Sequence, residues 1–282
     1  MVEDYIRKEI SNGVALLYLD QKDSKVNIVS PHLIEVFETV VDDILHDDNI
    51  KAAVFISSKK DFIAGADIKA FKAEKVGDFQ PFSRKGHDLL LRIEKSTKPF
   101  VAAIHGTAYG LGVELPLACA ARIATSDRNT KFALPEVKLG LLPGGGGTQR
   151  LPLLVGLQAS LEMMLTGKNI FAYKAKKIGL VDEIVHPTKL KSAAIKMALS
   201  LVNKPLNRRS KASILNKFLD KTAIGRSIIF REARKKVLRQ TYGNYPAPIE
   251  ILNCVEIGMK YGQEKGYEAE VIKFEELMIG EV

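Results

Sequence analysis

Four short apolar runs, each bounded by turn or polar residues, constrain this chain more than any other feature. GVALLYLD (13–20), AAVFISS (52–58), FVAAIHG (100–106) and ARIATS (121–126) are of strand length and partly β-branched. Between the first two lies a helical stretch. Ser30 stands at its N-cap and Pro31 at its first position, and Leu33, Phe37, Val40, Val41, Ile44 and Leu45 form one apolar stripe. Strands alternating with helices predict an α/β architecture. After about residue 155 the strand-like runs give way to basic helical stretches, KLKSAAIKMALSLVNK (189–204) and RSIIFREARKKVLRQ (226–240). TYGNYPAPIE (241–250) is a Gly/Pro break, followed by more helical material, and a module boundary is expected within 190–205.

A chain of 282 residues, 46% hydrophobic and 27% charged, is long enough for a sizeable core and too apolar to be disordered. Its longest uncharged run, residues 99–113, is shorter than the roughly 18–20 apolar residues that a spanning helix needs, so no transmembrane segment is expected. The start, MVEDYIRKEI, lacks a basic n-region and an apolar h-region. A cytoplasmic location is therefore expected, with the mitochondrial matrix as the alternative. Cys119 and Cys254 are too few for a disulfide framework or a thiolate metal site, and both sit among apolar residues as buried thiols would. Charge is distributed unevenly. Residues 168–239 hold 19 basic and four acidic side chains, the remainder 23 and 29. Such asymmetry suits either a phosphate-bearing partner or the solvated faces of Lys-rich helices. Nucleic acid is not expected, because no aromatic-interleaved basic stretch or zinc-finger spacing occurs.

Three glycine-bearing turns carry the candidate chemistry. None fits a phosphate loop or a dinucleotide fingerprint: Thr148 and Gln149 follow Gly144–Gly147, and Gly110-Leu-Gly112 lacks a third glycine. In DFIAGADIKAF (61–71), Gly65 allows a bend and Ala66 to Lys69 read as the opening of a helix, which points the Ala66 amide outward. In HGTAYGLGVELPLACA (105–120), a strand ends at Gly106 and a helix starts near Leu111, giving a second free amide, with Glu114 one turn later. In KFALPEVKLGLLPGGGGTQRLP (131–152), Glu136 stands beside a glycine-lined, otherwise apolar stretch. Two amides aimed at one point can hold an oxygen that becomes negative, and two carboxyls can share water activation and proton delivery.

At these residues the chain resembles the crotonase (enoyl-CoA hydratase/isomerase) superfamily. The resemblance rests on AGADI (64–68), the turn ending in Glu114, LPEVKLGLLPGGGGTQRLP (134–152) and LTGKNIFAYKAKKIGLVDEIV (165–185), and it covers about residues 10–190. The spacing between Glu114 and Glu136, and the tail 243–277, resemble the N-terminal hydratase module of the multifunctional fatty-acid β-oxidation α subunits. The resemblance implies a spiral of ββα turns, with a core over 1–195 and a helical trimerisation or linker region over 196–282, preceding an NAD-binding domain that is not in this chain. It implies hydration of 2-trans-enoyl-CoA to 3-hydroxyacyl-CoA, with the amides of Ala66 and Leu111 as oxyanion hole and Glu114 and Glu136 as the acid/base pair. CoA would lie along Ala64, Ala66, Asp67, Ile68 and Lys69, with Lys25 meeting its phosphates. No metal or redox cofactor is implied. A homotrimer or hexamer is, and so is a thiolase β subunit as partner of the full-length form. The family pattern has Gly where this chain has Leu111, so a donor amide that required positive φ would be misplaced. Two other readings compete: isomerisation of 3-enoyl-CoA on one carboxylate, and a non-catalytic acyl-CoA-binding or assembly module.

Overall fold

A computed structural model describes residues 2–67, 70, 75–204, 220 and 222–280. The strands in chain order are β1 (Ile6–Ser11), β2 (Val14–Leu19), β3 (Ala52–Ser57), β4 (Phe100–Ile104), β5 (Thr107–Tyr109), β6 (Ala121–Thr125), β7 (Lys131–Ala133), β8 (Ile170–Phe171) and β9 (Glu183–Val185). The helices are α1 (Pro31–His46), α2 (Gln80–Lys95), α3 (Leu111–Ala118), α4 (Gly147–Val155), α5 (Leu157–Thr166), α6 (Ala172–Ile178), α7 (Leu190–Leu201), α8 (Ala223–Thr241), α9 (Ala247–Tyr261) and α10 (Gln263–Ile279). Among the described residues no helix is long and apolar enough to cross a membrane. The chain forms two compact units, each discontinuous in sequence: Met1–Phe71, Asp88–Phe132 and Ile170–Arg208 in one, Lys72–His87, Ala133–Asn169 and Arg209–Val282 in the other.

The first unit is built on a sheet of order β1-β2-β3-β4-β6-β9. β1 and β2 pair antiparallel, and every later neighbour pairs parallel. All residues of β3, β4 and β6 are buried, as expected of a parallel sheet covered on both faces. The side chains divide by the two-residue strand period. Val14, Leu16, Val54, Val101 and Ile123 pack on one face with Leu190, Ala194 and Ala198 of α7. On the other, Phe55 stacks on Phe100 and meets Phe37 of α1 edge-on. The Ser30 hydroxyl caps α1 by accepting from the Leu33 amide.

A second, three-stranded sheet of order β5-β7-β8 explains the spiral. Strands β4 and β6 of the large sheet are each the last strand before a short one, β5 and β7, of the small sheet. The second unit is mainly helical. Its α4, α5, α8, α9 and α10 group with the stretch 133–146, so residues 222–280 pack in the same unit as Glu136. Both cysteines are free and buried.

Candidate functional site

In the first unit, backbone register builds a pair of unpaired amides. Buried Asn27 pins the approach: its Nδ2 donates to Leu19 O, Ser57 Oγ and Phe62 O. Residues 27–29 then run beside 64–67, with Ala64 N donating to Asn27 O, Val29 N to Gly65 O and Asp67 N to Val29 O. Ala66 therefore sits in a parallel β-bridge with Val29, extended rather than helical, while Ala70 N donates to Asp67 O in a 3₁₀ turn just beyond it. In such a bridge the amides of Gly65 and Ala66 are not both turned to the partner, and the Ala66 amide has no partner among the described residues. Ile68 and Lys69, named above for CoA, lie outside the described residues. Ala64 and Asp67 are half-buried and Lys25 is exposed.

The other side of the same segment pairs with β5. Phe62 N donates to Thr107 O and Tyr109 N to Ile63 O, so Ile63 and Ala108 form a parallel bridge. Ala66 and Leu111 are each three residues beyond that pair, which carries both toward the same end of the pairing. Gly110 takes the left-handed φ of +54°, and Leu111 is not among the residues with positive φ. The departure from the family pattern is thus absorbed one residue earlier, and Leu111 opens α3 with an ordinary helical amide. A Cβ on Gly112 would stand 2.5 Å from Ile63 O, so this position admits only glycine. Glu114 lies in the first turn of α3, 1% exposed, and its amide donates to Gly110 O.

Glu136 belongs to the second unit, where it opens a 3₁₀ turn (Glu136–Leu139) closed by Leu141 N donating to Glu136 O. The Tyr245 hydroxyl holds this turn, accepting from Gly140 N at 2.8 Å and donating to Val137 O. The Glu136 Oε2 is buried and has no hydrogen-bond partner among the described residues. Burial is the main cause that pushes the Glu136 carboxyl up to about 8; its own amide opposes the rise and the charge of Glu270 adds to it. The group is thus protonated at neutral pH, as a proton donor must be.

Two residues of α10 with no sequence signature complete this unit. Glu270, fully buried, accepts from Gly146 N at 2.5 Å, from Thr148 N at 3.1 Å and from the Thr148 hydroxyl. Glu275, also fully buried, accepts from Gly77 N, Phe79 N and the amide and side chain of Gln80, where α2 begins. Burial alone would raise the Glu275 carboxyl, but these donors hold it below the usual carboxylate value. The only trace of Glu270 in the sequence is spacing: Gly266, Glu270 and Phe274 recur every four residues on one helix face.

Strand order, helix order and paired glycine turns define a crotonase-type enzyme. The chain belongs to the enoyl-CoA hydratase/isomerase family, whose model matches residues 9–244. It is 44% identical, over 95% of its length, to a fatty acid oxidation complex subunit alpha of Shewanella sp. (strain ANA-3), and 42% identical over 99% to the subunit of that name in Shewanella loihica. The chain spans 38% of the length of the first of these relatives. Among solved structures it is similar to an enoyl-CoA hydratase from Bacillus anthracis, with TM-score 0.63 and 25% identity, covering 94% of this chain and 88% of that one. An enoyl-CoA hydratase/isomerase from Pseudoalteromonas atlantica T6c shares the fold at TM-score 0.67 and 21% identity, covering 98% and 92%.

Proposed function

We propose that this chain adds water to 2-trans-enoyl-CoA thioesters to give 3-hydroxyacyl-CoA. The observation that carries the reading is the Glu136 carboxyl, shut away from solvent and raised to about 8, and so a stored proton at neutral pH. In the proposed step the amides of Ala66 and Leu111 donate to the thioester oxygen as it gains negative charge. Glu114 takes a proton from water while the water oxygen bonds to C3. The C2–C3 electron pair then takes the Glu136 proton at C2, and proton return from Glu114 restores the pair. One well-placed amide donor is worth about 10²–10³ in rate and a positioned acid or base about 10²–10⁴. Carboxyls and backbone amides suffice for each transfer as written. Ala64, Asp67 and Lys25, on the loops ordered by Asn27, are proposed to meet CoA. The relatives named as fatty acid oxidation complex subunits support fatty-acid oxidation as the setting, with a thiolase subunit and a trimeric or hexameric assembly as proposed partners.

The test is loss of the conjugated enoyl-thioester absorbance with short- and long-chain substrates, beside Glu136→Gln. Loss with wild type and a fall of about 10²–10⁴ with the variant is expected. Conversion of 3-enoyl-CoA without any hydration of 2-enoyl-CoA would replace the reading by isomerisation. Binding without either reaction would replace it by an acyl-CoA-binding module.

A further inference from the structure

The proposed chemistry uses the Leu111 amide and gives the Leu111 side chain no part. Every other residue of α3 is buried, whereas Leu111, at its first position, is half-buried. Its amide makes no hydrogen bond among the described residues, because the first amides of a helix have no acceptor within it. The backbone here is not free to turn aside. Gly110 carries the left-handed φ, Tyr109 N is tied to Ile63 O at 3.0 Å, and a Cβ on Gly112 would stand 2.5 Å from the same oxygen. Where the amide points, the side chain must follow.

Covalent geometry sets how near. The Cβ of a residue lies about 2.5 Å from its own nitrogen, and an oxygen accepting from that nitrogen lies about 2.9 Å from it, so the two are at most roughly 5.4 Å apart. In a helix the first N–H groups and the Cα–Cβ bonds both lean toward the N-terminus, which brings them closer. The branched end of a leucine spans the remaining gap. In a held thioester the groups on the carbonyl carbon are the sulfur and C2. Helix period decides which of them meets Leu111, because Leu111 and Glu114 are three residues apart and share a face. In the proposed step Glu114 serves C3 through water, so C2 and C3 run along that face, with Leu111 over its N-terminal end. Its neighbour is C2.

We infer that the Leu111 side chain fixes the substrate class: it fills the space beside C2, so the site takes enoyl thioesters that carry hydrogen at C2 and rejects those that carry a methyl there. The inference rests on the hydratase reading, which places the thioester oxygen on the Leu111 amide, and narrows it. A glycine at this position would leave that space open. A branch farther along the acyl chain lies beyond the leucine and is not selected against by it. Discrimination over one methyl group in a fitted apolar pocket is about 10–200-fold.

The experiment compares kcat/KM for 2-butenoyl-CoA and its 2-methyl derivative in the full chain, in Leu111→Ala and in Leu111→Gly. Wild type should prefer the unbranched ester, and Leu111→Ala should narrow that preference about tenfold, with Leu111→Gly narrowing it at least as far. The ratio is the readout because two things cancel in it: a loss of rate common to both esters, and the lower intrinsic reactivity of the branched double bond. The control is 4-methyl-2-pentenoyl-CoA, branched two carbons farther on, whose rate relative to 2-butenoyl-CoA should change less than about twofold in either variant. An unchanged preference in Leu111→Ala, or an equal narrowing for the C2 and C4 branches, would overturn the proposal. Equilibrium binding of butanoyl-CoA and 2-methylbutanoyl-CoA, which cannot be hydrated, separates the two readings. If wild type hydrates neither enoyl ester yet binds butanoyl-CoA about tenfold more tightly, and Leu111→Ala binds both alike, the hydratase reading fails and the role of Leu111 stands. No preference by wild type in either measurement would sink that role.

Discussion

The turn around Ala66 and Leu111 and the turn around Glu136 would serve the proposed reaction by opposite means. In the first, the useful groups are backbone amides, and what places them is strand register: Ile63 beside Ala108, and Val29 beside Ala66. Side chains matter there mainly by their absence, at Gly110 and Gly112. In the second, the useful group is a side chain, raised by its burial and carried on a turn that Tyr245 holds from more than 100 positions away. An oxyanion site of the first kind tolerates most changes of side chain but no shift of backbone. An acid of the second kind tolerates small backbone shifts but not the entry of water around it.

Three variants would break or sharpen that contrast. The largest effect is expected from Gly112→Ala, whose Cβ meets a backbone oxygen that cannot swing aside. Hydration should fall by about 10², the scale of losing one oxyanion donor, with the Glu136 midpoint unmoved. Equal activity would show that register around Ile63 is not what aims the amides.

Next is Glu275→Gln, which removes the ionised acceptor at the start of α2. Urea unfolding at pH 7 should show a loss of about 1–3 kcal/mol. The pH sense follows from linkage. A carboxyl held low in the folded state adds stability above its unfolded value near 4.3, and that stability is lost as pH falls through the folded value. The variant should therefore lose less stability between pH 5 and pH 3 than wild type does. A parallel decline in both proteins would refute the assignment.

The smallest effect belongs to Lys25→Ala. As an exposed contact to a CoA phosphate it should raise KM about two- to fivefold and leave kcat alone, since exposed ion pairs are worth less than about 1 kcal/mol. A fall in kcat with KM unchanged would remove Lys25 from the CoA site.

Much of the first unit was legible in the sequence because local rules decide it. The four apolar runs became β2, β3, β4 and β6, each within a residue or two of its expected bounds, and Ser30 and Pro31 start α1 as their chemistry requires. The small sheet was not legible. β5, β7 and β8 are two or three residues long, too short for a two-residue period to show. After the Gly65 bend, Ala66 to Lys69 read as a helix opening, and a 3₁₀ turn does stand at Ala70, but pairing with Val29 holds Ala66 itself extended; there tertiary pairing outweighs local pattern. In α10, Glu270 and Glu275 look like ordinary surface acids of YEAEVIKFEEL. Their burial depends on Gly77 and Gly146, distant glycines whose free amides a sequence does not display.

The ties from α10 also set an order of assembly during synthesis. A ribosome delivers residues 136–148 well before residue 270, so the glycine stretch leaves the tunnel without the carboxylate that its Gly146 and Thr148 amides will bind. The sheet of the first unit closes mostly through neighbours in the chain and can form while translation continues, but the surroundings of Glu136 must wait for α10. Closing a loop of that length costs little extra free energy, yet it is slow and leaves the intermediate exposed. A nascent chain of this protein thus carries the turn around Ala66 and Leu111 before it carries the finished surroundings of Glu136, and the span between the two is the interval in which a chaperone has something to hold.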